Sequence, residues 1–105
     1  MTAFENVYSV IKKIPKGKVS TYKKIAELSG IKNPRIVGFA LHANKNPDEI
    51  PCHRVVKSNG YLAKGYAFGG IDAQEKKLRG EGVLFLKKYL VNLEKSLYWL
   101  LKEKY

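Results

Sequence analysis

The hexapeptide Pro51-Cys52-His53-Arg54-Val55-Val56 places the chain's single cysteine beside a histidine and an arginine. Those residue types can carry nucleophilic chemistry, because a neighbouring imidazole or positive charge favours the thiolate, the form that attacks an electrophile. On these residues alone a bland reading competes. A lone cysteine in a small domain commonly serves as a buried apolar filler, and the histidine beside it can be an ordinary one bonded to backbone. Adjacency does not separate the two, since neighbours on an extended strand point to opposite faces. With one cysteine there is no intrachain disulfide and no multi-cysteine zinc site. That fits a reducing compartment, the cytoplasm, and neither metal nor cofactor is expected.

The elements around the hexapeptide can be read from caps and periodicity. Thr2-Ala3-Phe4-Glu5 is a capping box, and Phe4, Val7, Tyr8, Ile11 and Ile14 follow it at helical spacing. Pro15-Lys16-Gly17 ends that helix, and Lys18-Val19 predicts a short extended step. Ser20 or Thr21 can cap a second helix that carries Tyr22, Ile25, Ala26 and Leu28 and ends at Gly30. Asn33-Pro34 predicts a third helix to about Asn44, with Ile36, Val37, Ala40 and Leu41 inward. Two short helices joined by a glycine-containing turn over about residues 21–45 predict a helix-turn-helix. Arg54–Lys57 predicts a short strand ended by Ser58-Asn59-Gly60, and Gly65–Gly70 a flexible loop. Asp72 is expected to cap a helix that runs through Arg79 and stops at Gly80. From about Leu84, leucines at 86, 90, 93, 97 and 100 predict a long C-terminal helix over about residues 84–104 with a core-facing seam.

Charge narrows the choice of partner without settling it. Twenty Lys and Arg against nine Asp and Glu give the 105-residue chain a net charge of +11, and it is no basic tail: residues 1–52 carry +5 and residues 53–105 carry +6. Between Asn6 and Pro47 nine basic residues face one acid, Glu27. Such a field favours a polyanion, nucleic acid before an anionic membrane, although lysine-rich surfaces also serve solubility alone. The length suits one domain, and 45% hydrophobic with 28% charged residues excludes a disordered chain. No apolar run approaches the roughly 20 residues of a membrane span, and the first ten residues lack the pattern of a secretory signal.

PCHRVV, preceded by the helix-turn-helix and followed by a glycine-rich loop and Glu81-Gly82, resembles the active domain of the O6-alkylguanine-DNA alkyltransferases. The likeness runs from about Val7 to Val83. It implies a mostly α domain with a small β element, a winged-helix-like helix-turn-helix, spanning residues 1–105 with the active-site motif at 51–56. It also implies repair of O6-alkylguanine, with O4-alkylthymine as a second candidate, by irreversible transfer of the alkyl group to the protein. On that resemblance Cys52 is the acceptor, His53 its base through a water, Glu81 the residue that orients His53, and Asn44 the brace of the active-site turn. Tyr22 matches the tyrosine that donates a proton to the departing guanine. Arg35 matches the arginine finger that fills the place of an extruded base, with Gly38 and Ala40 the small residues that let the helix approach DNA. Val55, Tyr66, Ala67, Gly69 and Gly70 match the base pocket. The chain departs from the pattern at Phe68, which separates the tyrosine and small residue from the paired glycines. Many members carry an additional N-terminal domain, which is not expected here.

The partner so implied is double-stranded DNA, bound in the minor groove with little sequence preference by a monomer, in the cytoplasm or, in a eukaryote, the nucleus. Two other readings compete. Alkyltransferase-like proteins bind the same lesions without transferring the group, and typically have another residue where this chain has Cys52. A small helix-turn-helix regulator would account for the charge and the helices but leave PCHRVV and Glu81 without a purpose.

Overall fold

The computed structural model describes residues 2–98. Helix α1 (Ala3–Ile11) starts at the predicted capping box: the Glu5 N–H donates to Thr2 Oγ1 and the Thr2 N–H donates to the Glu5 carboxylate. Strand β1 (Ser20–Thr21) runs directly into α2 (Tyr22–Leu28), where Thr21 is the cap and its hydroxyl accepts the Lys24 N–H. Helix α3 (Arg35–Ala43) follows Asn33-Pro34, and Asn33 Oδ1 accepts the Arg35 N–H, the work its residue type predicts. These three helices pack through Val7, Ile11, Ile25, Val37 and Ala40. The helix-turn-helix is α2 and α3.

A 3-10 turn (Cys52–Arg54) then leads into strand β2 (Val55–Val56), so Arg54, read from sequence as strand, belongs to the turn. β2 pairs in parallel with β1, Ser20 opposite Val55 and Thr21 opposite Val56. A parallel pair needs a crossover, and α2 and α3 provide it. Side chains alternate along a strand. Val55 therefore joins the helical core while Val56 joins a second cluster with Val19, Leu62, Leu78, Val83 and Val91. Two residues of strand form the partition between the two cores, and Cys52 lies a few residues before it.

The second cluster is covered by α4 (Gly70–Gly80). Asp72, expected to cap this helix, stands in its first turn; Gly69 holds the cap position at φ 118°, and the Asp72 carboxylate accepts from the Tyr89 hydroxyl instead. The long helix expected over 84–104 is not formed in the described part of that range. The chain makes a hairpin, β3 (Phe85–Lys87) with β4 (Leu90–Val91), and then the four-residue helix α5 (Leu93–Ser96). Tyr89 sits between the strands at φ 66°, a conformation that no right-handed α-helix admits, and its N–H donates to Glu75 of α4 at 3.0 Å. The leucine spacing is shared out among different elements: Leu86 is 65% exposed, Leu93 packs on the second cluster and Leu97 bridges to Val19. Leu100 and the rest of the expected seam lie outside the described residues. Among the described residues no helix is long and apolar enough to cross a membrane.

Two glycine substitutions should move stability in opposite directions. Gly60 closes the turn after β2 at φ 93°, and a Cβ there would lie 2.9 Å from the Val91 carbonyl oxygen. The left-handed conformation costs an alanine about 1–2 kcal/mol, and the overpacking adds about 1–3 kcal/mol. Gly80 has no atom within 4 Å of such a Cβ and lacks a positive φ. Gly80→Ala is expected to stabilise by about 0.4–1 kcal/mol. Urea unfolding measures both, and shifts of the same sign would refute one of the two local geometries.

Candidate active site

The 3-10 turn is what separates Cys52 from His53. At three residues per turn, successive side chains point about 120° apart, so the cysteine faces a cleft while the histidine turns toward the end of α4. The turn is fixed at three places. The Arg54 N–H donates to the Pro51 carbonyl at 3.0 Å, the Cys52 N–H to the Ile50 carbonyl at 2.7 Å, and the Gln74 amide to the His53 and Val55 carbonyls at 3.0 and 3.3 Å. Asn44 ties the approach to the turn to the end of α3. Buried at the end of α3, it donates from Nδ2 to the Ile50 carbonyl and accepts the Asn46 N–H.

Behind the cysteine lies a charged cluster. His53 Nε2 is 3.0 Å from Glu81 Oε2, and Arg54 donates from Nε to Glu81 Oε1 at 2.9 Å and from Nη2 to Oε2 at 2.8 Å. The third arm of the guanidinium, Nη1, donates to the Ile14 carbonyl at 2.7 Å. Burial alone would raise the Glu81 pKa, but the hydrogen bonds from Arg54 and His53 outweigh it and hold the carboxyl below its usual range. A carboxylate accepts only, so His53 donates through Nε2–H, which makes Nδ1 the basic nitrogen. That Nδ1 is buried and has no protein partner. Burial lowers the His53 pKa despite Glu81, and the imidazole is neutral at neutral pH.

Cys52 is 2% exposed. Burial raises its pKa, while the Asn44 amide and the Lys77 ammonium pull it back down. The cleft it borders has a volume of about 390 Å³ and is lined also by Tyr22, Arg35, Gly38, Tyr66 and Ala67. Tyr22, the first residue of α2, is half-buried, and burial followed by the Cys52 charge raises its pKa, keeping the phenol protonated. Across the cleft the Tyr66 hydroxyl accepts from Lys77 Nζ at 3.1 Å, and the intervening Phe68 packs its ring at 5.7 Å from that of Tyr66. Arg35 is exposed at the mouth, on the first turn of α3.

Several of the residues matched from sequence stand elsewhere. Ala40 is fully buried in the helical core, where its carbonyl accepts the Tyr8 hydroxyl at 2.7 Å. Gly69 caps α4 and Gly70 opens it, and neither lines the cleft. Val55, matched for its backbone carbonyl and not for its side chain, buries that side chain in the helical core, and the carbonyl accepts from Gln74 at 3.3 Å. Conversely, the structure brings in Gln74, Lys77 and the cleft-lining His42, to which the sequence reading gave no role, and it turns the Arg54 charge, read from sequence as one that favours the thiolate, onto Glu81. Gln74 had a legible signal: Ile71, Gln74 and Leu78 share one face of α4, and a polar residue on an apolar stripe marks a buried hydrogen bond. Among the described residues no group of three or more His, Cys, Asp or Glu could hold a metal ion.

Comparison with known proteins places this geometry. Residues 2–83 match the family described as 6-O-methylguanine DNA methyltransferase, DNA binding domain. A methylated-DNA–protein-cysteine methyltransferase of Pyrobaculum aerophilum is 48% identical over 71 residues, 68% of this chain and 46% of that protein. A bifunctional methyltransferase/endonuclease of Picrophilus torridus is 35% identical over 102 residues, 90% of this chain and 34% of that protein. The chain thus spans under half the length of either curated relative. Among solved structures, S. pombe Atl1 in complex with damaged DNA containing O6-carboxymethylguanine superposes with a TM-score of 0.81 at 33% identity, covering 91% of this chain and 94% of that one. The O6-methylguanine methyltransferase of Mycobacterium tuberculosis superposes with a TM-score of 0.69 at 32% identity, covering 78% of this chain and 49% of that one. The chain belongs to the O6-methylguanine DNA methyltransferase family, whose DNA-binding domain it carries.

Proposed function

We propose that this domain binds duplex DNA through α3 and transfers the alkyl group of an O6-alkylguanine to Cys52 Sγ, once per molecule and without a cofactor. The observation that carries the reading is a buried cysteine on a cleft, followed in the chain by a histidine whose free nitrogen is basic and whose other nitrogen is held by a carboxylate. The thiol proton leaves through a water to His53 Nδ1. The S–C bond forms as the C–O6 bond breaks, and the electron pair stays with the guanine, which takes the Tyr22 phenol proton. The His53 proton then restores Tyr22 through solvent. A thioether is a poor leaving group, so the cysteine is consumed. The protein acts as a monomer in the minor groove with little sequence preference, on DNA in the cytoplasm or, in a eukaryote, the nucleus.

A second reading has one observation in its favour. The chain covers nearly the whole of Atl1, a protein solved on damaged DNA, and about half of the M. tuberculosis methyltransferase. On that reading the domain binds the lesion and leaves it intact. Intact mass after incubation with O6-methylguanine DNA decides between them: we expect one methyl group per molecule, on Cys52. Bound DNA with no change of mass would leave only the lesion-binding reading. Cys52→Ser should bind but transfer nothing, since a hydroxyl is a poor nucleophile at neutral pH.

The relay should be visible in the pH dependence. With the His53 pKa lowered from 6.5 and the Cys52 pKa raised from 9.0, neither group is ionised between those values. The transfer rate should rise as His53 loses its proton, with a midpoint below 6.5, and then stay level to beyond pH 8. His53→Ala should slow transfer by roughly 10²–10⁴ at neutral pH. It should also replace the plateau with a rate that climbs tenfold per pH unit as the thiol ionises directly. A climbing profile in the parent protein would remove His53 as the base.

Arg35 should affect lesions in duplex far more than free bases. Unstacking and unpairing a base costs a few kcal/mol, and each 1.4 kcal/mol that the guanidinium no longer returns lowers the extruded population about tenfold. Arg35→Ala is expected to slow repair of duplex much more than reaction with O6-benzylguanine, and Arg35→Lys to rescue partly, because an ammonium cannot stack as a plane. Equal losses on the two substrates would make Arg35 a residue of the cleft wall instead.

A further inference from the structure

Helix α3 presents an exposed ridge of which the chemistry at Cys52 uses only one end. Arg35, Phe39 and His42 fall at i, i+4 and i+7, within about 60° of arc at 100° per residue, while Val37 and Ala40 face the core. Arg35 and His42 both line the cleft. Phe39 stands between them along the helix, 59% exposed. A single exposed apolar side chain is ordinary on a protein surface. What distinguishes this one is its place between two cleft-lining residues, on a chain of net charge +11.

We propose that Phe39 is an apolar wedge that enters the minor groove beside the lesion, partly unstacks a base step and opens the groove for α3. The proposal rests on the reading of α3 as the DNA-facing helix. The minor groove of B-DNA is about 6 Å wide and a helix with its side chains about 10–12 Å across, so α3 cannot lie in an undistorted groove. Gly38, also on the cleft, brings the helix backbone close on one side of the ridge. A phenyl ring beside it has no room against a closed groove floor. Apolar side chains inserted at a base step kink the duplex toward the major groove and widen the minor one. The chain's positive charge supplies attraction without sequence preference, and the wedge supplies the distortion. Phe39 lies four residues from Arg35, about 6 Å along the axis, or close to two base-pair steps of about 3.4 Å. With α3 laid along the groove, the arginine acts at the extruded base and the phenyl one or two pairs away.

The experiment uses duplexes that carry O6-methylguanine and a single 2-aminopurine, moved from one to three pairs away on either side. With the parent protein, fluorescence should rise at one position, one or two pairs from the lesion on one side only. Phe39→Ala should lose that rise and bind the duplex roughly tenfold or more weakly, a typical loss when an aromatic stacking partner is removed. Phe39→Leu should keep part of the rise, since leucine can still insert. Because the ring is exposed, melting temperatures of both variants should match the parent, which separates a lost wedge from a lost fold. Unchanged fluorescence and affinity in Phe39→Ala would overturn the wedge, and if Arg35→Ala still weakened duplex binding, the reading of α3 would stand. A parent protein that leaves the duplex unbound would overturn both. A free-protein dimer that Phe39→Ala dissociates, with the DNA signals unchanged, would assign the ring to contact between copies and overturn the wedge.

Discussion

One guanidinium ties the site to the fold. Arg54 reaches the carbonyl of Ile14 beyond the end of α1 with one nitrogen and both oxygens of Glu81 at the end of α4 with the other two. The planar fork suits a carboxylate as no ammonium can. Two separate segments are thereby held to the 3-10 turn, and the carboxylate is fixed in the orientation that receives His53. Removal of either charged partner would leave the other largely buried and unpaired, at side-chain exposures of 12% for Arg54 and 15% for Glu81. The tautomer of His53 comes from this arrangement, and with it the choice of Nδ1 as the basic nitrogen.

The turn that carries Cys52 is further constrained by strand β2. Val55 and Val56 are both fully buried, one in each core, so the strand cannot slip by one residue without exchanging their faces. Gln74 pins the same stretch from the side of α4. The cysteine is therefore placed by packing on two sides and by hydrogen bonds on the third. Precision of this kind is what in-line attack on a carbon held in the cleft would require.

Local signals read well from sequence wherever local chemistry decides the structure. The capping box at Thr2, the cap at Thr21 and the Asn33-Pro34 start each survive in the structure because each satisfies backbone groups within a few residues. Cys52, His53, Glu81, Tyr22 and Arg35 were legible through the order of motifs, and the structure sets the first four in one neighbourhood with Arg35 at its mouth. The failures are tertiary. Leucines at steps of three and four satisfy a helix on paper, but the contacts of Tyr89 with Asp72 and Glu75 fix a hairpin there. Ala40 reads from sequence both as an inward residue and as one small enough for close approach, and the helical spacing is the better guide, since the side chain is fully buried. Arg54 sat within the hexapeptide, yet its partners lie 27 and 40 positions away, beyond the reach of any periodicity.

The burial of Cys52 has a bearing on its chemistry at rest. Oxidation to sulfenic acid and exchange with disulfides both begin from the thiolate. A thiol whose pKa is raised by its surroundings presents little of that form at neutral pH. Such a thiol is expected to react slowly with peroxide and with small disulfides. On the proposed single-use transfer such side reactions would cost the most, and the same apolar surroundings that make the sulfur harder to ionise would help to keep it reduced.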